Sequence, residues 1–281
     1  MDIVITGGTG FIGTALVKRL VAAGHGVTAL VRGDASASKA AALGAKPVVG
    51  DLFDTDFVTS AFAAADGALH LAATGDARTQ ELDQGIAESV VRAYSGTRKP
   101  YVHSSGIWIY GPGTAITEDT EFDAPAIVAW RAGVEKAVLN ADVPTTIVVP
   151  GVVYGGGQGI PALLKPASGR VQLVGSGSQH WPTVHVDDIA ALYELALSQG
   201  SGLGYLIGAS ASPTVRSLGE ATGLPVETET VDEARARLGA FFADAVLQDQ
   251  VVTSTKAQSL GWQPTGPSLA DELSTGSYAA A

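Results

Sequence analysis

Four glycines near the start of the chain, Gly7, Gly8, Gly10 and Gly13, are spaced for work that side chains would obstruct. They interrupt a short β-branched run, Ile3-Val4-Ile5-Thr6, and are followed from Phe11 to Val21 by apolar residues at helical spacing. Strand, tight turn and helix N-terminus in that order make an anion site, because the first helical N–H groups and the partial positive charge of the helix point at whatever fills the turn. Gly8-x-Gly10-x-x-Gly13 is the spacing of a dinucleotide fingerprint. The first glycines allow the turn, Gly10 lets the backbone approach a pyrophosphate, and Gly13 lets the helix lie close on the strand. Gly7, Thr9, Gly10, Phe11, Ile12 and Gly13 are the expected cradle.

A second chemical cue closes the next strand. Val27 to Val31 ends in Arg32-Gly33-Asp34. At about 20 residues past the glycines, an NAD site places a carboxylate for the ribose 2′-hydroxyl. A guanidinium there suits a 2′-phosphate instead, through paired charge-assisted hydrogen bonds. Ser36, Ser38 and Lys39 could add donors. NADP(H) is therefore expected ahead of NAD(H). The alternative is that Arg32 is a solvated strand-end charge and Asp34 does the selecting.

The elements that must hold these groups follow from periodicity. Strand-like runs at 47–52, 68–74, 99–105, 145–150 and 204–208 alternate with helical ones, so a parallel, doubly wound α/β sheet is expected. Asp51-Leu52 ends the third strand where an adenine edge would lie, and Leu71, Ala72 and Ala73 end the fourth with residues small enough for a cofactor to pass over. Asp54 is the expected cap of the helix that follows. His70 and His103, within strands, are read as buried and hydrogen-bonded.

Composition bounds the partners. The 281 residues carry 17 basic and 28 acidic side chains, a formal charge of −11, which disfavours nucleic acid and anionic membrane. With no cysteine, disulfides and thiolate metal sites are excluded. Residues 180–188 hold two histidines and two carboxylates without a metal-ligand spacing, so no metal is expected. Asp187 reads as a helix cap, and no Gly-x-Ser-x-Gly elbow suggests a hydrolase. No run reaches membrane-spanning length, and a soluble cytoplasmic protein is expected.

Taken together, Thr6 to Gly13, Gly50-Asp51-Leu52, His70 to Ala73, Ser104-Ser105 leading to Tyr110-Gly111, Pro150 to Gly155 and Val184 to Asp188 occur in an order that resembles the extended short-chain dehydrogenase/reductases, the NAD-dependent epimerase/dehydratase family. The resemblance spans roughly residues 1 to 200. It implies a Rossmann-type, mostly parallel seven-stranded sheet with a small C-terminal substrate lobe. Residues 1–153 and 183–208 would form the dinucleotide-binding core, and 154–182 with 209–281 the lobe. It further implies Ser105, or Ser104 beside it, as the family serine that orients substrate. Pro150, Val152 and Val153 would lie along the nicotinamide carboxamide. A homodimer would also fit.

One part of the family pattern is missing. A tyrosine and a lysine four residues later should stand on a helix expected over Ala124–Leu139, and Glu135 matches a glutamate that usually follows the lysine. Counting back from Glu135 puts Arg131 at the lysine and Ile127 at the tyrosine, and no Tyr-x-x-x-Lys occurs anywhere in the chain. Arg131 can bond ribose hydroxyls but stays protonated and cannot be the acid. Tyr154, Tyr110 and His180 are the candidate proton donors. Otherwise the substrate needs no protein acid, or hydride transfer has been lost. The expected activity is NADP(H)-dependent reduction of a small, apolar or aromatic ketone, enone or imine. Alternatives are an epimerase or dehydratase that recycles its nicotinamide, and a non-catalytic NADP sensor. The tail Ala279–Ala281 is expected to fray.

Overall fold

The computed structural model describes residues 1–165 and 168–279, so the last two residues of the tail expected to fray lie outside the described residues. Its β-branched runs form seven strands: β1 (Asp2–Thr6), β2 (Gly26–Val31), β3 (Lys46–Val49), β4 (Gly67–His70), β5 (Tyr101–Ser104), β6 (Thr145–Pro150) and β7 (Gly204–Gly208). They make one parallel sheet in the order 7-6-5-4-1-2-3. Every residue of β4 and all of β1 after Asp2 is buried, as expected of central strands covered on both faces. Chain order reverses at β1, whose register runs Ile3 to Val27 on one side and Ile3 to Gly67 on the other. Such a switch point opens a crevice at the carboxyl ends of the strands. The doubly wound α/β reading holds.

Six helices connect or flank these strands: α1 (Phe11–Ala22), α2 (Asp34–Ala42), α3 (Thr55–Ala63), α4 (Thr79–Tyr94), α5 (Arg131–Leu139) and α6 (Val186–Ser198). Val58 and Phe62 of α3, Leu82, Ile86 and Val90 of α4, and Val134 and Val138 of α5 close one core with Val4, Leu30 and Ala68 of the sheet. Side-chain alternation turns Ile3 and Ile5 to the opposite face. Asp54 caps α3 as expected, accepting from the backbone N–H groups of Asp56 and Phe57 at 3.0 Å.

Two local expectations are corrected. The helix expected from Ala124 starts only at Arg131. Pro125 holds a turn there, with Val128 N–H donating to its carbonyl at 2.9 Å, and the β-branched pair Ile127-Val128 follows it with no capping side chain. Asp187 lies inside the first turn of α6 rather than at its cap, because the helix already begins at Val186.

The chain divides into two compact units. The first comprises Met1–Ser105, Trp130–Val148 and Ala190–Leu206; the second comprises Gly106–Ala129, Val149–Ile189 and Ile207–Ala281. Within the second, three short parallel pairs join Val152–Tyr154 to Thr183–His185, Val171–Val174 to Val226–Glu229, and Gly113–Ile116 to Gln250–Val252. Its own core gathers Tyr154, Trp181, Leu173, Leu218 and Tyr278. No helix among the described residues is long and apolar enough to cross a membrane.

Candidate active site

The first unit carries a groove of about 440 Å³ at the ends of β1, β2 and β4. Gly7, Thr9 and Gly10 line it from the turn, Arg32 from the end of β2, Ser36 from α2, and Asp51 and Leu52 from just past β3. Leu71, Ala72 and Ala73 line it from the end of β4. The turn is built for close approach. Gly7 sits at φ +73°, and a Cβ on it would lie 2.5 Å from the Ala72 nitrogen. A Cβ on Gly13 would run into the Gly7 carbonyl oxygen and come within 2.8 Å of Gly8 Cα. Gly10 caps α1 with no side-chain acceptor, so the first-turn N–H groups of Phe11, Ile12 and Gly13 are not taken by a capping side chain. These residues fit the pyrophosphate of a dinucleotide.

The residues expected to choose between the two cofactors stand on or near the same wall. Arg32 is exposed and makes no hydrogen bond or ion pair with any described residue. Asp34 does not line the groove; it opens α2 instead. Ser36 lines it while its hydroxyl donates to the Gly33 carbonyl at 2.8 Å. Ser38 and Lys39 stand outside the lining, and the Lys39 ammonium donates to the Thr9 carbonyl at 2.7 Å, tying α2 to the glycine turn.

Beneath the groove runs a buried polar chain that sequence reasoning saw only in its histidines. Thr6 Oγ1 donates to His70 Nδ1 at 2.6 Å, and His70 Nε2–H donates to Asp83 Oδ1 at 2.9 Å, the tautomer that satisfies both partners. His103 Nε2 lies 3.8 Å from Asp83 Oδ2, and its Nδ1 meets the Tyr101 hydroxyl at 2.9 Å. Thr6, His70 and His103 stand at or next to the strand ends from which the glycine turn, the 71–73 segment and Ser104 depart, so the chain fixes those three exits relative to one another. Burial would raise the Asp83 carboxyl, but the His70 hydrogen bond and the nearby positive charge outweigh it and hold it below the usual range. Burial depresses His103 to about 3, so that ring is neutral. The missed residue had a signal: an acid on the α4 face otherwise formed by Leu82, Ile86, Ala87 and Val90.

At the end of β5, Ser104 Oγ lies 2.5 Å from the Tyr193 hydroxyl, and its carbonyl accepts from Arg131 Nη1 at 3.2 Å. Ser105 N–H donates to the Val148 carbonyl, and its side chain is turned inward. Glu135, one turn beyond Arg131 on α5, is 1 % exposed, neither of its carboxyl oxygens has a hydrogen-bond partner among the described residues, and burial pushes it up to about 7.

The remaining candidates belong to the second unit. Pro150 and Val152 are buried there, and Val153 pairs with Val184. Tyr110 is buried in a short 3₁₀ turn, its ring edge-on to Phe122 at 5.1 Å. Tyr154 donates its hydroxyl to the Pro267 carbonyl at 2.7 Å, and burial, aided by the Asp188 charge, pushes it up to about 12. His180 Nδ1 pairs with Asp249 Oδ1 at 2.8 Å, and the same oxygen accepts the His180 backbone N–H. Asp249 was not anticipated, and nothing local marks it. His185 stacks edge-on to Tyr154 and accepts from Asp187 N–H at 3.3 Å.

Comparison with known proteins gives a consistent picture. The family model for the NAD dependent epimerase/dehydratase family matches residues 3–208. An uncharacterized protein of Saccharomyces cerevisiae is 30% identical over 293 residues, covering 97% of this chain and 98% of that protein. The 4-hydroxy-2-methyl-3-oxo-4-farnesyl-3,4-dihydroquinoline-1-oxide ketoreductase of Stigmatella aurantiaca is 29% identical over 86% of this chain and 79% of its own length. Among solved structures, the human epimerase family protein SDR39U1 with NADPH superposes with a TM-score of 0.77 at 24% identity, covering 99% of both chains.

Proposed function

The chain belongs to the NAD-dependent epimerase/dehydratase family, and from that premise we propose that it is an NADP(H)-dependent reductase of a small organic molecule. The observation that carries the reading is the groove itself: Arg32 lines it with no hydrogen-bond or ion-pair partner among the described residues, while Asp34 is absent from the lining. The ketoreductase and NADPH-bound likenesses support it. When bound, the reduced nicotinamide supplies hydride. The protein does the rest. Gly7 to Gly13 hold the pyrophosphate, Arg32 pairs with the 2′-phosphate, and Asp51 and Leu52 border the adenine. Arg131, fixed by its bond to the Ser104 carbonyl, contacts ribose hydroxyls. The second unit, with Tyr110, Tyr154 and His180, is the proposed substrate-binding lobe.

By the count back from Glu135 the family's acid position falls on Ile127, and on that reading the proton comes from another group or from solvent. A positioned acid contributes about 10²–10⁴-fold, so the proton source sets much of the rate. A sensor is the second reading, favoured by that same substitution. NADPH fluorescence separates the two: it decays when ketones, enones or imines are added to a reductase. Retained NADPH binding with no decay across such a panel would favour the sensor. Product formed without net NADPH loss would indicate an epimerase or dehydratase.

A further inference from the structure

Within the second unit, two pairs of side chains able to receive a ligand are tied together through one buried residue. Gln250 is 1 % exposed, and its amide donates to the Ile107 carbonyl at 3.1 Å and to the Gly111 carbonyl at 2.6 Å. Those carbonyls bracket the turn that carries Trp108, whose ring stands edge-on to Phe242 at 5.9 Å. The Gln250 backbone N–H donates to the His180 carbonyl at 3.1 Å, and Asp249, the residue before it, holds the His180 ring. The circuit closes through Trp181, whose indole N–H donates at 2.9 Å to the Val246 carbonyl, one turn beyond Phe242 on the short helix Ala240–Val246. An aromatic pair and a histidine–carboxylate pair are thereby held on either side of Gln250.

Both pairs are only partly buried, whereas Tyr110 and Tyr154 are closed off in the core. His180 Nδ1–H donates to Asp249 Oδ1 at 2.8 Å, the tautomer that a carboxylate imposes. In the neutral ring Nε2 is therefore an acceptor, and it has no partner among the described residues. The backbone and ring hydrogen bonds from His180 hold the Asp249 carboxyl below the usual carboxylate range, so it is ionised. The charge of the whole unit is one-sided, with fifteen acidic and six basic side chains. Arg170, Arg235 and Arg237 are paired with carboxylates, and Arg216 donates twice to the Ser176 carbonyl.

We propose that these two pairs are the substrate-recognition surface of the second unit, and that the substrate is an aromatic carbonyl compound bearing a hydroxyl group and no anionic group. The assignment deepens the reductase reading and rests on it. The substrate ring packs against Trp108 and Phe242, where aromatic pairs gain more than their buried area alone supplies. Its hydroxyl donates to His180 Nε2. Asp249 keeps the imidazole in the accepting tautomer and repels a carboxylate or phosphate, so it selects by exclusion as well as by support. A substrate carrying a diphosphate would bring its charge to an acidic unit whose arginines are already bonded. In this role His180 accepts a hydrogen bond rather than donating a proton.

Calorimetry on the full chain with saturating NADP⁺, which has no hydride to give, reads recognition alone. Meta-hydroxyacetophenone should bind about 10-fold more tightly than meta-methoxyacetophenone, and meta-carboxyacetophenone about 10-fold more weakly than the methoxy compound. His180→Ala should erase the preference for the hydroxyl, and Asp249→Asn should restore binding of the carboxylate. Trp108→Ala should weaken all three ketones about 10-fold, while Trp108→Phe keeps most of the affinity, which separates loss of the ring from misfolding. Equal affinities for the three ketones, or a hydroxyl preference that survives His180→Ala, overturn the assignment. NADPH decay tests the reductase reading separately. Decay with the hydroxy ketone but equal affinities would leave a reductase without this surface. The expected affinities with no decay would keep the surface and overturn the reductase reading.

Discussion

Gly7→Ala should abolish useful NADPH binding, weakening it about 100-fold or more, equivalent to about 2.7 kcal/mol or more. Two independent effects act at this position. Its φ of +73° lies in the left-handed region, where a non-glycine residue costs roughly 1–3 kcal/mol. The added Cβ would also sit 2.5–2.6 Å from backbone atoms of Leu71 and Ala72. Those atoms cannot step aside easily. Leu71 N–H donates to the Thr6 carbonyl, and the Thr6–His70 pairing is locked below by the bond to Asp83. The strand ends must therefore splay, and the phosphate cradle opens with them. Gly133→Ala is the matched control: a Cβ there meets nothing within 4 Å, and the change sits within α5. It should leave NADPH affinity intact and stabilise the helix by about 0.5–1 kcal/mol. Calorimetric NADPH titration of both variants checks the pair. Wild-type affinity in Gly7→Ala would show that the turn does not hold the phosphates.

Arg32→Ala should raise the Kd for NADPH about 10- to 100-fold and leave that for NADH nearly unchanged. Hydrogen bonds to a charged group are worth about 1.5–3 kcal/mol each, and their loss here is moderated by exposure to water. The residue makes no bond to any described protein group, so its removal orphans nothing and stability should not move. The effect should shrink as salt is raised, because an exposed charge pair is screened. Equal weakening of both cofactors would remove the case for the 2′-phosphate. An unchanged pair of constants would return the selecting role to another residue of the groove.

The parts of the fold that could be read from the chain are those set by local rules. The β1–turn–α1 unit follows from a β-branched run, four glycines and helical spacing within the first 21 residues. The Asp54 cap, the strand β7 and the placing of Arg32 at a strand end were legible for the same reason. What escaped was set by topology. His180 and Asp249 are 69 residues apart, and Thr6 and His70 are 64 apart; the folded chain, not sequence pattern, makes them neighbours. Asp83 was readable in retrospect, since an acid on an apolar helix face needs a partner and two strand histidines were waiting. The helix expected from Ala124 begins only at Arg131 because Pro125 holds a turn ahead of it, and apolar spacing alone does not mark that turn. In the sequence Glu135 is marked only by its spacing from Arg131; its burial is set by how α5 packs.

The most direct measurement is calorimetric titration of the purified protein with NADPH and, separately, NADH. The account predicts saturable one-to-one binding of NADPH, with a Kd of about 1–100 μM, in the lower part of the range usual for enzyme substrates, and weaker binding of NADH. Absence of heat with either nucleotide at millimolar concentration would contradict it at its base.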